Sequence, residues 1–136
     1  MPAKVTLPQL QEWLAAPTPL LFLPAGIPLS EVLAALRRRG LDARAMDLAA
    51  VADKAELLSA MHQTLALDGW FGFNWDALEE ALYGPEDRAA PERVLVCGSF
   101  LGFRERAPAD AEVFLDIVRT VAGEPGSGLR GCVMIG

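Results

Sequence analysis

The chain has 136 residues, 52% of them hydrophobic, with 12 Lys and Arg against 18 Asp and Glu for a formal charge of −6. That is enough chain for one domain with a substantial core, and no uninterrupted apolar window of about 18 residues exists to cross a membrane. An acidic balance repels nucleic acid, and the single His, His62, leaves no His cluster to hold a metal.

Thr6 to Leu14 reads as a short helix capped by Thr6, with Pro8 in the first turn, where proline is tolerated, and Pro17 and Pro19 beyond its end. Leu20-Leu21-Phe22-Leu23 is a continuous apolar run short enough for a buried strand, and Pro24-Ala25-Gly26 turns out of it. Ser30 to Arg39 predicts an amphipathic helix with Val32, Leu33 and Leu36 inward. Arg37-Arg38-Arg39 suits the negative end of that helix dipole, which is a better account of the run than nucleic-acid binding, and Gly40 is the stop. Asp42 to Leu48 predicts a second strand. Asp53-Lys54-Ala55-Glu56 resembles a capping box and opens a helix to about Leu67, on which His62 reads as a half-buried structural residue.

Trp70-Phe71-Gly72-Phe73-Asn74-Trp75-Asp76-Ala77-Leu78-Glu79-Glu80-Ala81-Leu82-Tyr83-Gly84 is the most informative stretch. Four large aromatics, Trp70, Phe71, Phe73 and Trp75, alternate with Gly69 and Gly72, which let the backbone turn tightly. A helix follows, with Asn74 as N-cap and Gly84-Pro85 as stop. Ala77, Leu78, Ala81 and Leu82 fall on one face; Asp76, Glu79, Glu80 and Tyr83 stand at i, i+3, i+4 and i+7 on the other. The helix dipole explains an acid in the first turn, but not the like-charge pair Asp76 and Glu80, which no Lys or Arg at helical spacing relieves. A surface that keeps such a pair points to a cationic partner.

Pro85 to Pro91 is a polar, acidic loop, Val94 to Cys97 a third strand, and Gly98 to Phe103 a turn out of it. Ala109 to Ala122 predicts a helix with Val113, Phe114, Ile117, Val118 and Val121 inward. Gly123 to Gly128 is a turn, and Cys132 to Ile135 the last strand. Cys97 and Cys132, both in strands, read as buried small apolar residues. The alternation of strands with helices argues an α/β domain with a mainly parallel sheet and right-handed crossovers.

Charge is unevenly spread. Residues 1–45 balance at +2, residues 46–90 at −7 and residues 91–136 at −1. The negative charge therefore gathers where the aromatic and acidic motif lies. Such a field attracts basic proteins and speeds their encounter, although acidity also serves solubility alone. Met1-Pro2-Ala3-Lys4-Val5 lacks the basic start and apolar run of a signal peptide, so a cytoplasmic location is expected.

The motif resembles the inhibitory loop and helix of the barstar family, intracellular inhibitors of secreted barnase-like ribonucleases. In that family an aromatic-aromatic-Gly-x-Asn-x-Asp-Ala-Leu run opens the helix that plugs the nuclease site; here it is Trp70 to Leu78, with Glu80 as the second helix acid. The resemblance covers roughly residues 43 to 136. It implies a two-layer α/β fold with a small, mainly parallel sheet of three strands, to which Leu20 to Leu23 adds a fourth at one edge. Residues 1 to 41 are then a strand–helix extension covering that edge, and residues 42 to 136 the family core, within a single domain.

By function, the resemblance implies a bacterial immunity protein that is no enzyme, needs no cofactor or metal and is monomeric when free. It would protect its host until the nuclease is exported, or neutralise a rival's toxin. The partner would be a basic, extracellular-type ribonuclease, with no nucleic acid or membrane bound. Asp76 and Glu80 take the place of phosphates, Glu79 adds field or a rim contact, and Trp70 and Tyr83 flank them as anchors. Asn74 and Gly72 hold and expose the loop, and Trp75 completes the binding set. The barnase–barstar pair is itself a standard case of electrostatic steering, so the charge pattern is not separate support. The chain departs from the family at Glu79, where its well-studied member has Trp, at Trp70, where it has Tyr, and near Thr120, where it has a Glu. These departures leave open a module of the same fold whose partner is not a nuclease. Paired carboxylates could also serve as acid and base in an enzyme, but no Gly-x-Ser-x-Gly elbow or phosphate-binding loop accompanies them.

Overall fold

A computed structural model describes residues 8–65, 74–83 and 90–136. The expected cap at Thr6, the end of the third helix at Leu67, the loop residues Gly69 to Phe73 and the stop at Gly84-Pro85 lie outside the described residues.

Four strands form one sheet in the order β1-β4-β3-β2: β1 is Leu20–Leu23, β2 Asp42–Asp47, β3 Arg93–Gly98 and β4 Leu129–Ile135. Every pairing is parallel. The α/β class and the fourth strand at one edge are as expected, and β3 and β4 run longer than their apolar centres. The helices are α1 Pro8–Ala15, α2 Leu29–Arg38, α3 Lys54–Thr64, α4 Trp75–Tyr83, α5 Phe100–Arg106 and α6 Pro108–Gly123.

Side chains alternate across the sheet and divide the core in two. Leu95, Cys97, Cys132 and Met134 face a large cluster built with α3, α4, α5 and α6. Val94, Val96, Val133 and Ile135 face the other way, onto Leu10 and Trp13 of α1 and Val32 and Leu36 of α2. The expected two-layer arrangement is thus extended: α1 and α2 add a layer on the second face. Both faces of a parallel sheet must be covered, and the extension covers one of them. Val32 and Leu36 are fully buried there, worth about 1.5–3 kcal/mol each.

Three expectations fail locally. Gly98 and Gly102 suggest a turn, yet Phe100 to Arg106 is helical, because Phe100 and Phe103 share a buried face and the N–H of Phe103 donates to Ser99 O. In α6 the buried stripe runs Ala111, Phe114, Leu115, Val118 and Val121, which leaves Val113 37% exposed instead of inward. β1 is also less buried than its composition suggests: Phe22, at the sheet edge, is 47% exposed, its ring edge-on to Phe100.

The register between β3 and β4 slips by one residue after Arg93, pairing Arg93 with Leu129 but Val94 with Gly131. The residue left over, Arg130, turns its guanidinium to the carbonyls of Trp13, Ala16 and Thr18 and lies 4.2 Å from the centre of the Trp13 ring. Burial lowers its pKa, opposed by the Glu92 carboxylate. Next to it Gly131, at φ +156°, passes so close to Pro19 that a Cβ would lie 2.0 Å from Pro19 O. The Cys132 N–H donates to that same oxygen at 2.9 Å. One bulge therefore seats α1 and β1 together.

Gly131→Ala is expected to detach β1 from β4 and lower the melting temperature by 10 °C or more (roughly 2–3 kcal/mol for a domain of this size), as read by calorimetry. An unchanged melt would show that the close approach at Pro19 does not hold the extension.

Candidate functional site

The site is built on α4. Asn74 caps it as the sequence predicts: its Oδ1 accepts from the Ala77 N–H at 2.8 Å and its carbonyl from the Leu78 N–H. Leu78 and Leu82 are fully buried, and Ala77 and Ala81 pack partly against the same cluster. This inward face fixes the outward one. Asp76 and Glu80 are exposed, while Glu79 and Tyr83 are half-buried. The four therefore share one side of the helix, as their spacing requires. Partial burial, then the Glu124 and Glu79 carboxylates, raises the Tyr83 phenol above its ordinary pKa.

The far end of α4 is pinned by the sheet. Arg93, the first residue of β3, donates from its guanidinium to Ala81 O at 3.3 Å and to Leu82 O. The Gly128 N–H donates to Tyr83 O at 3.1 Å, and Gly128 O accepts from the Arg93 N–H at 2.7 Å. Three carbonyls that the helix end would leave unpaired are thus satisfied by residues just before β4 and at the start of β3. Burial lowers the Arg93 pKa, the Asp42 carboxylate opposes it, and Arg44 adds to the lowering.

Among the described residues no Lys or Arg pairs with Asp76, Glu79 or Glu80. The salt bridges found there are Arg44–Asp42, Arg104–Glu112 and Arg119–Asp116, none of which includes a residue of α4. Most other arginines are bound to backbone carbonyls: Arg37 to Ala43, Arg44 also to Thr64, Arg106 to Leu48 and Val51.

Trp70 and Gly72 lie outside the described residues. Trp75 is half-buried, rests on the core below α4, and has the ammonium of Lys54 5.4 Å from its ring centre. Thr120 is exposed on α6, its hydroxyl donating to Asp116 O at 2.9 Å. Arg93 and Lys54 are the two residues that the sequence reading missed. Lys54 had a signal, since a cation in the first turn of a helix opposes the dipole. Arg93 had none, because its partners are backbone atoms on a distant helix.

Residues 41–130 match the family described as "Barstar (barnase inhibitor)". The chain belongs to the barstar family. The match takes in β2 through the start of β4 and leaves out α1, β1 and α2, which form the extension. No match is found among curated proteins. Among solved structures, the chain is similar to the Aeropyrum pernix ORC2 protein in ADPNP–ADP complexes, with a TM-score of 0.60 and 12% identity. That likeness covers 93% of this chain and 37% of the other, and it shows the fold alone.

No group of three or more His, Cys, Asp or Glu side chains stands close enough to hold a metal ion among the described residues, and no helix there is long and apolar enough to cross a membrane. Cys97 and Cys132 are fully buried with their Sγ atoms 3.6 Å apart, and burial, then Cys97, pushes the Cys132 thiol well above its usual pKa. Such thiols are unreactive.

Two outcomes follow. Replacing Arg93 with Met should destabilise the fold by about 2–3 kcal/mol in urea denaturation, since charge-assisted hydrogen bonds and a buried helix end are lost together. A change within about 0.5 kcal/mol would mean that the helix end is held by packing alone. A disulfide thiol reagent at neutral pH should label neither cysteine in the native protein and both in denaturant; rapid native labelling would contradict the burial.

Proposed function

We propose that this barstar-family chain is a cytoplasmic inhibitor of a barnase-like ribonuclease, acting by occlusion of the nuclease active site. One observation carries the reading: Asp76 and Glu80 stand exposed on one face of a helix pinned at both ends, and no described cation neutralises them. A nuclease site gathers basic side chains around the scissile phosphate, and carboxylates on a rigid helix can take the phosphate positions. Rigidity matters because the ordering cost is met before binding.

In this reading Asp76 and Glu80 are the phosphate mimics. Glu79, half-buried beside them, adds negative field. Trp70 and Tyr83 are the flanking aromatic anchors, and Asn74 and Gly72 hold and expose the backbone ahead of the helix. No covalent step is involved, and no cofactor enters. The partner is a basic protein, and the free chain is a monomer.

Glu79 and Thr120 favour a second reading, a module of the same fold whose basic partner is not a nuclease. The two are separated by titrating the protein against a panel of barnase-like bacterial ribonucleases while following RNA cleavage. Stoichiometric inhibition by the wild type, weakened by 100-fold or more (about 3 kcal/mol) in Asp76→Ala and in Glu80→Ala, is the expected result. Inhibition that survives both substitutions would place the binding surface elsewhere. Absence of inhibition across the panel would favour the non-nuclease module.

A further inference from the structure

Lys54 is the first residue of α3, directly after the cap Asp53, whose side chain accepts from the Glu56 N–H at 3.0 Å. The positive end of the helix dipole disfavours a cation there, so the helix it belongs to does not account for it. Its contact is long-range: the ammonium lies 5.4 Å from the centre of the Trp75 ring. Trp75 is the first residue of α4, and Asp76 follows it directly. Both Lys54 and Trp75 are half-buried, and Trp75 also rests on the apolar cluster beneath α4.

The geometry points to Lys54 as a positioning residue for the acidic face, acting through its charge on Trp75. The inference rests on the inhibitor reading for its consequence, but not for its structural content. A ring held between the core and a cation cannot turn freely, so the first turn of α4 leaves Asn74 in one direction. That direction sets where the Asp76 and Glu80 carboxylates point. It also changes the role of Trp75: one face of the ring already carries a cation of its own chain, so this side chain serves recognition by orienting α4. A positive charge at the head of an otherwise negative helix further restricts how a basic partner can align, because its cations are repelled from that end and drawn to the other acids.

The test separates charge from packing. Lys54→Met keeps the aliphatic stem and loses the charge, and Lys54→Arg keeps a cation able to lie on the ring. Amide hydrogen exchange at Ala77 and Leu78, whose N–H groups both donate to Asn74, reports the first turn directly in the free protein. Exchange at both should quicken roughly three- to fivefold in Lys54→Met, the range that a surface cation–π contact supports, and stay near wild type in Lys54→Arg. In a Trp75→Leu background, adding Lys54→Met should change the exchange no further. Wild-type exchange in Lys54→Met alone would overturn the inference in favour of stem packing. Equal loosening in Lys54→Arg, or an effect of Lys54→Met that persists without Trp75, would overturn it as well. Against a ribonuclease that the wild type inhibits, Lys54→Met should raise the inhibition constant by a similar factor and Lys54→Arg should restore it. A wild type that inhibits none would sink the inhibitor reading and leave the exchange result standing.

Discussion

The guanidinium of Arg93 beneath the end of α4 is the contact on which the rest of the site depends. A nine-residue helix is too short to hold itself in water and must be held by its surroundings. Leu78 and Leu82 anchor its inner face, Asn74 closes its start, and Arg93 with Gly128 closes its end. Because Arg93 opens β3, one of the two inner strands, the orientation of the acidic helix is tied to the sheet itself rather than to a surface loop.

The same use of arginine recurs throughout the molecule and shapes its electrostatics. Arg37, Arg44, Arg93, Arg106 and Arg130 all donate to backbone carbonyls, joining segments that would otherwise end unpaired. Arg44 bridges the Asp42 carboxylate as well, but among the described residues the other four guanidinia are held on carbonyls and on no carboxylate. Among the described residues no Lys or Arg is ion-paired with the acids of α4, and Lys54 stands over the Trp75 ring beside them. A helix with like charges at i and i+4 gives up a few tenths of a kcal/mol, and a complementary basic surface restores it.

The architecture was largely legible in the sequence, and the reasons are local. Short apolar runs bounded by Pro and Gly marked β1 and β3, the 3.6-residue period marked α2 and α4, and Asn74 and Asp53 stood where caps belong. The family match from residue 41 agrees with the motif around Asp76, and the strand at Leu20 to Leu23 joins the sheet edge as its composition suggested. What escaped depends on contacts distant in sequence. The helix at Phe100 was hidden by flanking glycines, and its cause, the burial of Phe100 and Phe103, exists only after the sheet forms. Val113 was misplaced because apolar composition does not distinguish the buried stripe from its neighbour. The second helical layer, the bulge at Arg130 and the pairing of Lys54 with Trp75 are all tertiary.

The central claim is that an unneutralised acidic face on α4 is what a basic partner reads. Its most direct test is the association rate constant with a basic ribonuclease of the proposed class, followed by stopped flow over a range of salt. The account predicts a rate that falls by about tenfold or more from low salt to physiological salt, with little change in dissociation, and a flatter slope when Asp76 and Glu80 are replaced by Asn and Gln. An association rate that ignores salt, or a slope untouched by those two substitutions, would contradict it.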